Sequence, residues 1–284
     1  MSRSFKINNY ILNENSPTFI IAEVGINHNG EIRDAFSLIK KAFEAGADAV
    51  KLQSYITEKR VSKDSPVFDI LKKSELTNKE QLECFQLGKD LGIIVFSTPF
   101  DDESVDYLES IECPLYKVAS FDTVNNSLLR RIGKTMKPII MSTGMSNLDE
   151  VKNAKISLNI NNSEITDRLA LLHCISSYPT PENEANLSVI PLLRQYHNGI
   201  VGYSDHTIGI DVPILSVAAG AKIIEKHFTL DTNAEGPDHA LSADPETMKK
   251  MVSGIRKIEK IMGDQELKSR LIEKEILPYR RFTD

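Results

Sequence analysis

GIVGYSDHTIGIDVPILSVAAGAKIIEKHF, residues 199–228, is the stretch whose reading decides the fold. It opens on an apolar run that turns polar at Ser204, Asp205 and His206, continues through a helix-like stretch from Gly209 to Ala221, and returns to a second apolar run, Lys222–Phe228. Near-continuous apolar runs suit strands buried on both faces, and a helical crossover between two of them is what a parallel pair requires.

Working outward, the same unit recurs from residue 19 to residue 263. The other strand candidates are FIIAEVG from Phe19, AVKLQSY from Ala49, IIVFSTPF from Ile93, LYKVAS from Leu115, PIIMSTG from Pro138 and LALLHCIS from Leu169. Between them lie helical patterns. EIRDAFSLIKKAFEAGA repeats its apolar face through Ala35, Leu38, Ile39, Ala42 and Phe43 and stops at Gly46. NKEQLECFQLGKDLG opens on Asn78 as a cap and ends at Gly92. Further helices are expected over Asp102–Glu112, Asn126–Met136, Leu148–Ile160, Leu187–His197, Gly209–Ala221 and Asp244–Gly263. Eight strand-helix units with nothing breaking the alternation predict an α/β fold, a (β/α)8 TIM barrel over 19–263. Residues 1–18 predict a short N-terminal hairpin capping the barrel's bottom, and 264–284 a charged C-terminal tail. The segment Thr57–Thr77 is longer than a usual βα loop, which makes it a candidate lid.

An apolar fraction of 41% with 26% charged residues fits a globule with a full core. No apolar run approaches the length of a membrane span and no basic segment precedes an apolar one, so no membrane association and a cytoplasmic location are expected. A net charge of −6 argues against non-specific nucleic-acid binding, yet an acidic protein can hold a locally basic cleft for an anion. Cys84, Cys113 and Cys174 are odd in number and widely spaced, so buried thiols are expected rather than disulfides.

Barrels of this class place their chemistry at the C-terminal strand ends, and here those ends are polar. In order they are Glu23; Lys51 and Gln53; Ser97 and Thr98; Lys117, Ser120 and Asp122; Ser142 and Thr143; His173, Ser176 and Tyr178; Ser204 and His206; and His227. Two lysines, several hydroxyls and the bare backbone of Gly144 converging on one mouth suggest an oxyanion or phosphate cradle, although each lysine alone reads equally as a plain ion pair. His206 and His227, at the ends of neighbouring strands, can reach one metal ion, with Asp238 in a loop able to fold over it. Their separation of 21 positions matches no compact zinc motif, so two hydrogen-bonded structural histidines are the competing reading. His28, His173 and His197 read as structural, and His239 as a neighbour supporting the metal site.

With these residues in place the chain resembles the sialic acid synthase family, whose relatives include legionaminic and pseudaminic acid synthases and spore-coat polysaccharide proteins. FIIAEVGINHNG, AVKLQSY, FSTPFD, YKVASFD, IIMSTGM, LLHCISSYPTP, GYSDHTIGI, EKHFTLD and GPDHALSADP carry the resemblance, in order, over residues 15–250. It implies a metal-dependent barrel that condenses phosphoenolpyruvate with an open-chain N-acetylmannosamine-type sugar, giving a nine-carbon 2-keto acid and phosphate. By that likeness His206 and His227 hold a divalent cation, Mn²⁺ or Mg²⁺. Lys51, Lys117, Ser120, Ser142 and Ser204 bind phosphoenolpyruvate, with Gln53, Thr98 and Ser176 completing the substrate set. Glu23, Asp122, Tyr178 and Asp238 face the sugar or the proton transfers.

The chain departs from the family's pattern at Ser176, often asparagine, and at Phe121 and Asp122, often glycine and glutamate. GPDHALSADP resembles the sialic and legionaminic side. Members of the family continue into a small antifreeze-like domain that caps the site of a swapped partner and gives an arginine to the sugar, whereas this sequence stops at YRRFTD. A homodimer is expected, with the cap on a separate polypeptide or the site left open. Two competing functions remain: a Schiff-base aldolase or lyase using Lys51 or Lys117, and a non-catalytic barrel partnering a full-length synthase.

Overall fold

The computed structural model describes residues 3–160, 165–264 and 266–282. The chain opens with an antiparallel hairpin, β1 (Ser4–Ile7) and β2 (Tyr10–Asn13). Eight parallel strands then close into a barrel in sequence order: β3 (Phe19–Gly25), β4 (Ala49–Ser54), β5 (Ile94–Pro99), β6 (Tyr116–Val118), β7 (Ile139–Ser142), β8 (Leu169–His173), β9 (Val201–Asp205) and β10 (Ile223–His227). β10 pairs with β3 to complete the ring, so the (β/α)8 architecture expected from the alternation is the architecture observed.

Side chains alternate across each strand, and the two packing groups follow that period of two. On β3, Ile20, Ala22 and Val24 pack outward against Leu38, Ile39 and Ala42 of the helix Ile32–Ala45, while Phe19 and Ile21 belong to the inner core. Continuing the inner row brings Glu23 to the C-terminal end of the barrel, level with Lys51 of β4 and His227 of β10. Ala49 and Ile223 occupy the inner row one layer below Lys51 and Glu225. The lower barrel is thus apolar and the upper layer ionic. Phe5, Ile7 and Leu12 of the hairpin are buried with Phe19, Ile139, Leu169 and Ile223, the residues that open their strands, so the hairpin closes the N-terminal end.

The helices differ from the sequence reading mainly at their ends. Those expected to reach Glu112, Met136 and Ile160 stop at Ser110, Gly133 and Ser157, because the chain leaves each through a left-handed residue, Glu112, Met136 and Asn159 respectively. The helix Asn78–Leu91 is capped by Thr77 rather than Asn78, in a capping box with Glu80. After Met262 the described residues form only two short 3-10 turns, with Leu271, Ile272 and Tyr279 exposed. Among the described residues no helix is long and apolar enough to cross a membrane. All three cysteines are buried and unpaired.

Candidate active site

The inner row of the upper barrel layer forms a buried ionic cluster. Lys51 Nζ lies 3.1 Å from Glu23 Oε2 and 3.3 Å from Glu225 Oε2. Lys117 Nζ lies 3.6 Å from Glu225 Oε1 and donates to Ser142 Oγ at 2.7 Å. Ser204 Oγ donates to the same Glu225 oxygen at 2.9 Å. All six side chains are almost wholly buried.

The two carboxylates differ in environment. Glu225 loses water on burial, which opposes ionisation, but Lys117, Lys51 and the Ser204 hydroxyl outweigh that cost and hold it at about 2. Burial dominates at Glu23 and the nearby Glu225 charge adds to it; Lys51 and Gln53 offset this only in part, so its carboxyl is pushed up to about 7. Burial also lowers Lys117 below the ordinary lysine value. At Lys51 burial acts the same way but Glu225 and Glu23 prevail, raising it. One carboxylate is therefore a fixed counterion, and the other titrates where a proton-transfer group is useful.

Beside this cluster lies a small cradle. Ser120 Oγ accepts from Gly144 N at 3.1 Å and lies 3.1 Å from Cys174 Sγ. A Cβ placed on Gly144 would stand 2.5 Å from Ser176 Oγ, 2.7 Å from Ser120 Oγ and 2.8 Å from Cys174 Sγ, so only a glycine leaves the cradle open. Ser176 Oγ is buried without a hydrogen-bond partner, as is Thr98 Oγ1, which sits on the strand position paired with Gln53. Buried hydroxyls without a partner among the described residues are suited to an oxyanion.

The imidazoles of His206 and His227 have ring centroids 5.4 Å apart, with the Tyr178 ring 4.2 Å from the first and 6.1 Å from the second. His206 Nδ1 is held by the Ile175 carbonyl at 2.7 Å, which makes Nδ1 the donor and leaves a lone pair on Nε2. Burial, reinforced by His227, lowers His206 to about 4; burial, then the Lys51 charge, lowers His227 to about 3. Both are neutral at pH 7, as metal ligands must be. His227 Nδ1 is buried without a hydrogen bond, 3.6 Å from Asp238 Oδ2. Among the described residues no three His, Cys, Asp or Glu side chains gather closely enough to form a complete protein ligand set. Two neutral imidazoles side by side are donors of the kind that could hold a divalent cation. Burial raises Asp238 and Asp122 above the ordinary aspartate value.

All fourteen residues singled out from the sequence lie on the strand ends or following loops at this one end of the barrel, though not all on strands. Ser120 and Asp122 stand on a 3-10 turn, because β6 ends at Val118. His239 bonds Thr229 Oγ1 at 2.7 Å, and no hydrogen bond ties it to His227. His173 and His197 bond the Ala185 and Leu169 carbonyls at 2.9 and 3.0 Å, and His28 Nδ1 accepts from Gly30 N, as structural histidines do. Three site residues were missed. Glu225 was legible, since it lies two positions before His227 on an alternating strand. Cys174 and Arg60 carried no such signal: Arg60 comes from the long segment after β4, where its guanidinium bonds Gln53 Oε1 at 2.9 Å.

A family model described as NeuB family matches residues 38–267. The chain is 49% identical over 261 residues to the protein MJ1065 of Methanocaldococcus jannaschii, covering 92% of this chain and 77% of that one. It is 41% identical over 261 residues to the N,N'-diacetyllegionaminic acid synthase of Campylobacter jejuni, covering 87% and 78%. Its structure is similar to that of an N-acetylneuraminic acid synthetase from Leptospira borgpetersenii in complex with citrate, with TM-score 0.93 and 36% identity over 99% of this chain and 97% of that one.

Proposed function

The chain belongs to the NeuB family, and on that premise we propose that it condenses phosphoenolpyruvate with an open-chain N-acetylmannosamine-type amino sugar, giving a nine-carbon 2-keto-3-deoxy sugar acid and phosphate. The observation that carries the reading is the pair of buried lysines sharing one ionised glutamate beside hydroxyls that have no protein partner. Two lysines around the ionised Glu225, beside a Glu23 that holds its proton up to about 7, suit a carboxylate and a phosphate together.

In this reading Lys51, Lys117, Ser120, Ser142 and Ser204, with Thr98 and Ser176, bind and orient the enol phosphate, and Gln53, Asp122 and Tyr178 line the sugar side. His206 and His227 would hold a divalent cation, which when bound would supply Lewis acidity. Carbon 3 of the enol forms the new bond to the aldehyde carbon, and the positive charge left at carbon 2 is met by the neighbouring anions. Glu23 takes the proton of the water that adds at carbon 2, which its raised carboxyl suits. Asp238, against His227, serves the proton at the aldehyde end. The tetrahedral phosphohemiketal then collapses as its carbon–oxygen bond to phosphate breaks. A homodimer, or a separate cap polypeptide, belongs to the same reading; the exposed Phe121, Met145 and Ile208 around the mouth support a covered rim.

Incubation with phosphoenolpyruvate, Mn²⁺ and a panel of 2-acetamido sugars should release inorganic phosphate with at least one of them. Absence of release from the whole panel would sink the reading.

A further inference from the structure

Arg60 closes the short helix Thr57–Arg60, in the segment between β4 and the next long helix, and its environment is unlike that of a surface arginine. Its guanidinium carbon stands 3.6 Å from the centroid of the Phe100 ring and 4.6 Å from that of Tyr55. Tyr55 is itself fixed by a 2.9 Å hydrogen bond from its hydroxyl to the Leu71 carbonyl. The helix that carries Arg60 is anchored by Asp101, which accepts from Ile56 N at 2.8 Å, and by Glu75, which accepts from Thr57 N at 2.9 Å. Position and ring contacts thus preorganise the guanidinium before any ligand arrives.

Of its five N–H donors, one is used among the described residues, by Gln53 Oε1. Gln53 in turn donates to Glu23 Oε1 at 3.2 Å, which ties Arg60 to the ionic cluster through a single amide. Arg60 lies in the field of Asp122, Glu23 and Asp238, yet none of these carboxylates closes on it as an ion pair. A half-buried guanidinium among three acids with its donors unclaimed is a recognition group rather than a structural one. Among the charges that act on it are Asp122, which lines the sugar side, and Asp238, which serves the aldehyde end. Three acids around one cation also disfavour a phosphorylated ligand, whereas hydroxyls can donate to the acids and accept from the guanidinium.

Resting on the condensation proposed above, we propose that Arg60 is a substrate-positioning residue supplied by this chain's own segment after β4, donating to uncharged oxygen atoms, hydroxyl or acylamino carbonyl, of the incoming sugar. The sugar would then meet a guanidinium within the same polypeptide that binds the enol phosphate.

Steady-state kinetics with each substrate varied in turn test this in the wild type, Arg60→Met and Arg60→Lys. Loss of charge-assisted hydrogen bonds to an uncharged ligand predicts a rise of roughly 10- to 100-fold in the sugar KM of Arg60→Met. The phosphoenolpyruvate KM should stay within about twofold, and Arg60→Lys, which keeps the charge but not the fork, should recover only part of the loss. A sugar KM unchanged in Arg60→Met would overturn the assignment, as would both KM values rising together with a fallen melting temperature, the mark of a merely structural latch. A wild type active with some sugar separates that failure from failure of the condensation itself; a wild type inactive with every sugar removes the assignment along with the reading it rests on.

Discussion

Replacing Glu225 by Gln keeps the shape of the side chain and removes the counterion that two buried ammoniums share. Lys51 Nζ at 3.3 Å and Lys117 Nζ at 3.6 Å would then face each other's charge, and Glu23, relieved of the Glu225 charge, can compensate only Lys51, the lysine it touches. Taking one partner out of a buried ion pair costs about 3–5 kcal/mol, because the remaining charge stays desolvated. At roughly 2–4 °C per kcal/mol for a large domain, the melting temperature at pH 7 should fall by roughly 6–20 °C. The loss should be pH-dependent with a fixed sign. Lys117 has a folded value below its unfolded one, so between the two the folded chain binds fewer protons and stability rises with pH. Without Glu225 the folded value of Lys117 drops further and the rise at Lys51 is cut back, so the deficit should shrink as pH climbs toward about 10. Inorganic phosphate should raise the melting temperature of the variant more than that of the wild type, since an anion then replaces the missing charge. Differential scanning fluorimetry across pH, with and without phosphate, reads all three. A variant that melts within about 2 °C of the wild type at pH 7 and gains nothing extra from phosphate would refute the shared-counterion argument.

Three further outcomes follow from the same geometry. If Glu23 takes the water proton, kcat/KM should rise with pH through about 7 and Glu23→Gln should lose that limb; because its folded value lies above its unfolded one, the stability it contributes is present below about pH 4.5 and lost as pH rises through about 7, a slope the variant should lack. Mn²⁺ should raise the melting temperature of the wild type but not of His206→Ala/His227→Ala, and a chelator should abolish phosphate release; a double variant that still responds to Mn²⁺ would place the cation elsewhere. Gly144→Ala would push a methyl into Ser176, Ser120 and Cys174, so the phosphoenolpyruvate KM should rise at least about tenfold while circular dichroism stays unchanged, and an unaltered KM would show that the cradle is not the anion site.

The barrel and the membership of its mouth were legible in the sequence because both follow from local rules. Apolar runs buried on two faces alternate with amphipathic helices, and a period of two carries Glu23, Lys51, Lys117 and His227 to one end of the inner row. The same rule marks Glu225, two positions before His227, and the Thr77–Glu80 spacing marks the capping box, although the neighbouring histidine and asparagine are the more conspicuous residues. What no local rule contains is distance across the barrel. That Lys51 and Lys117, 66 positions apart, share one carboxylate depends on the stagger of strands around a closed ring. The same holds for Gly144 closing on Ser176 and for Arg60 settling on Phe100. Sequence determined which groups reach the mouth, since side-chain direction is set within a strand. Tertiary structure decided which carboxyl is ionised, which hydroxyls lack a partner and which cation keeps free donors, since those properties arise only when strands distant along the chain exclude water from one another.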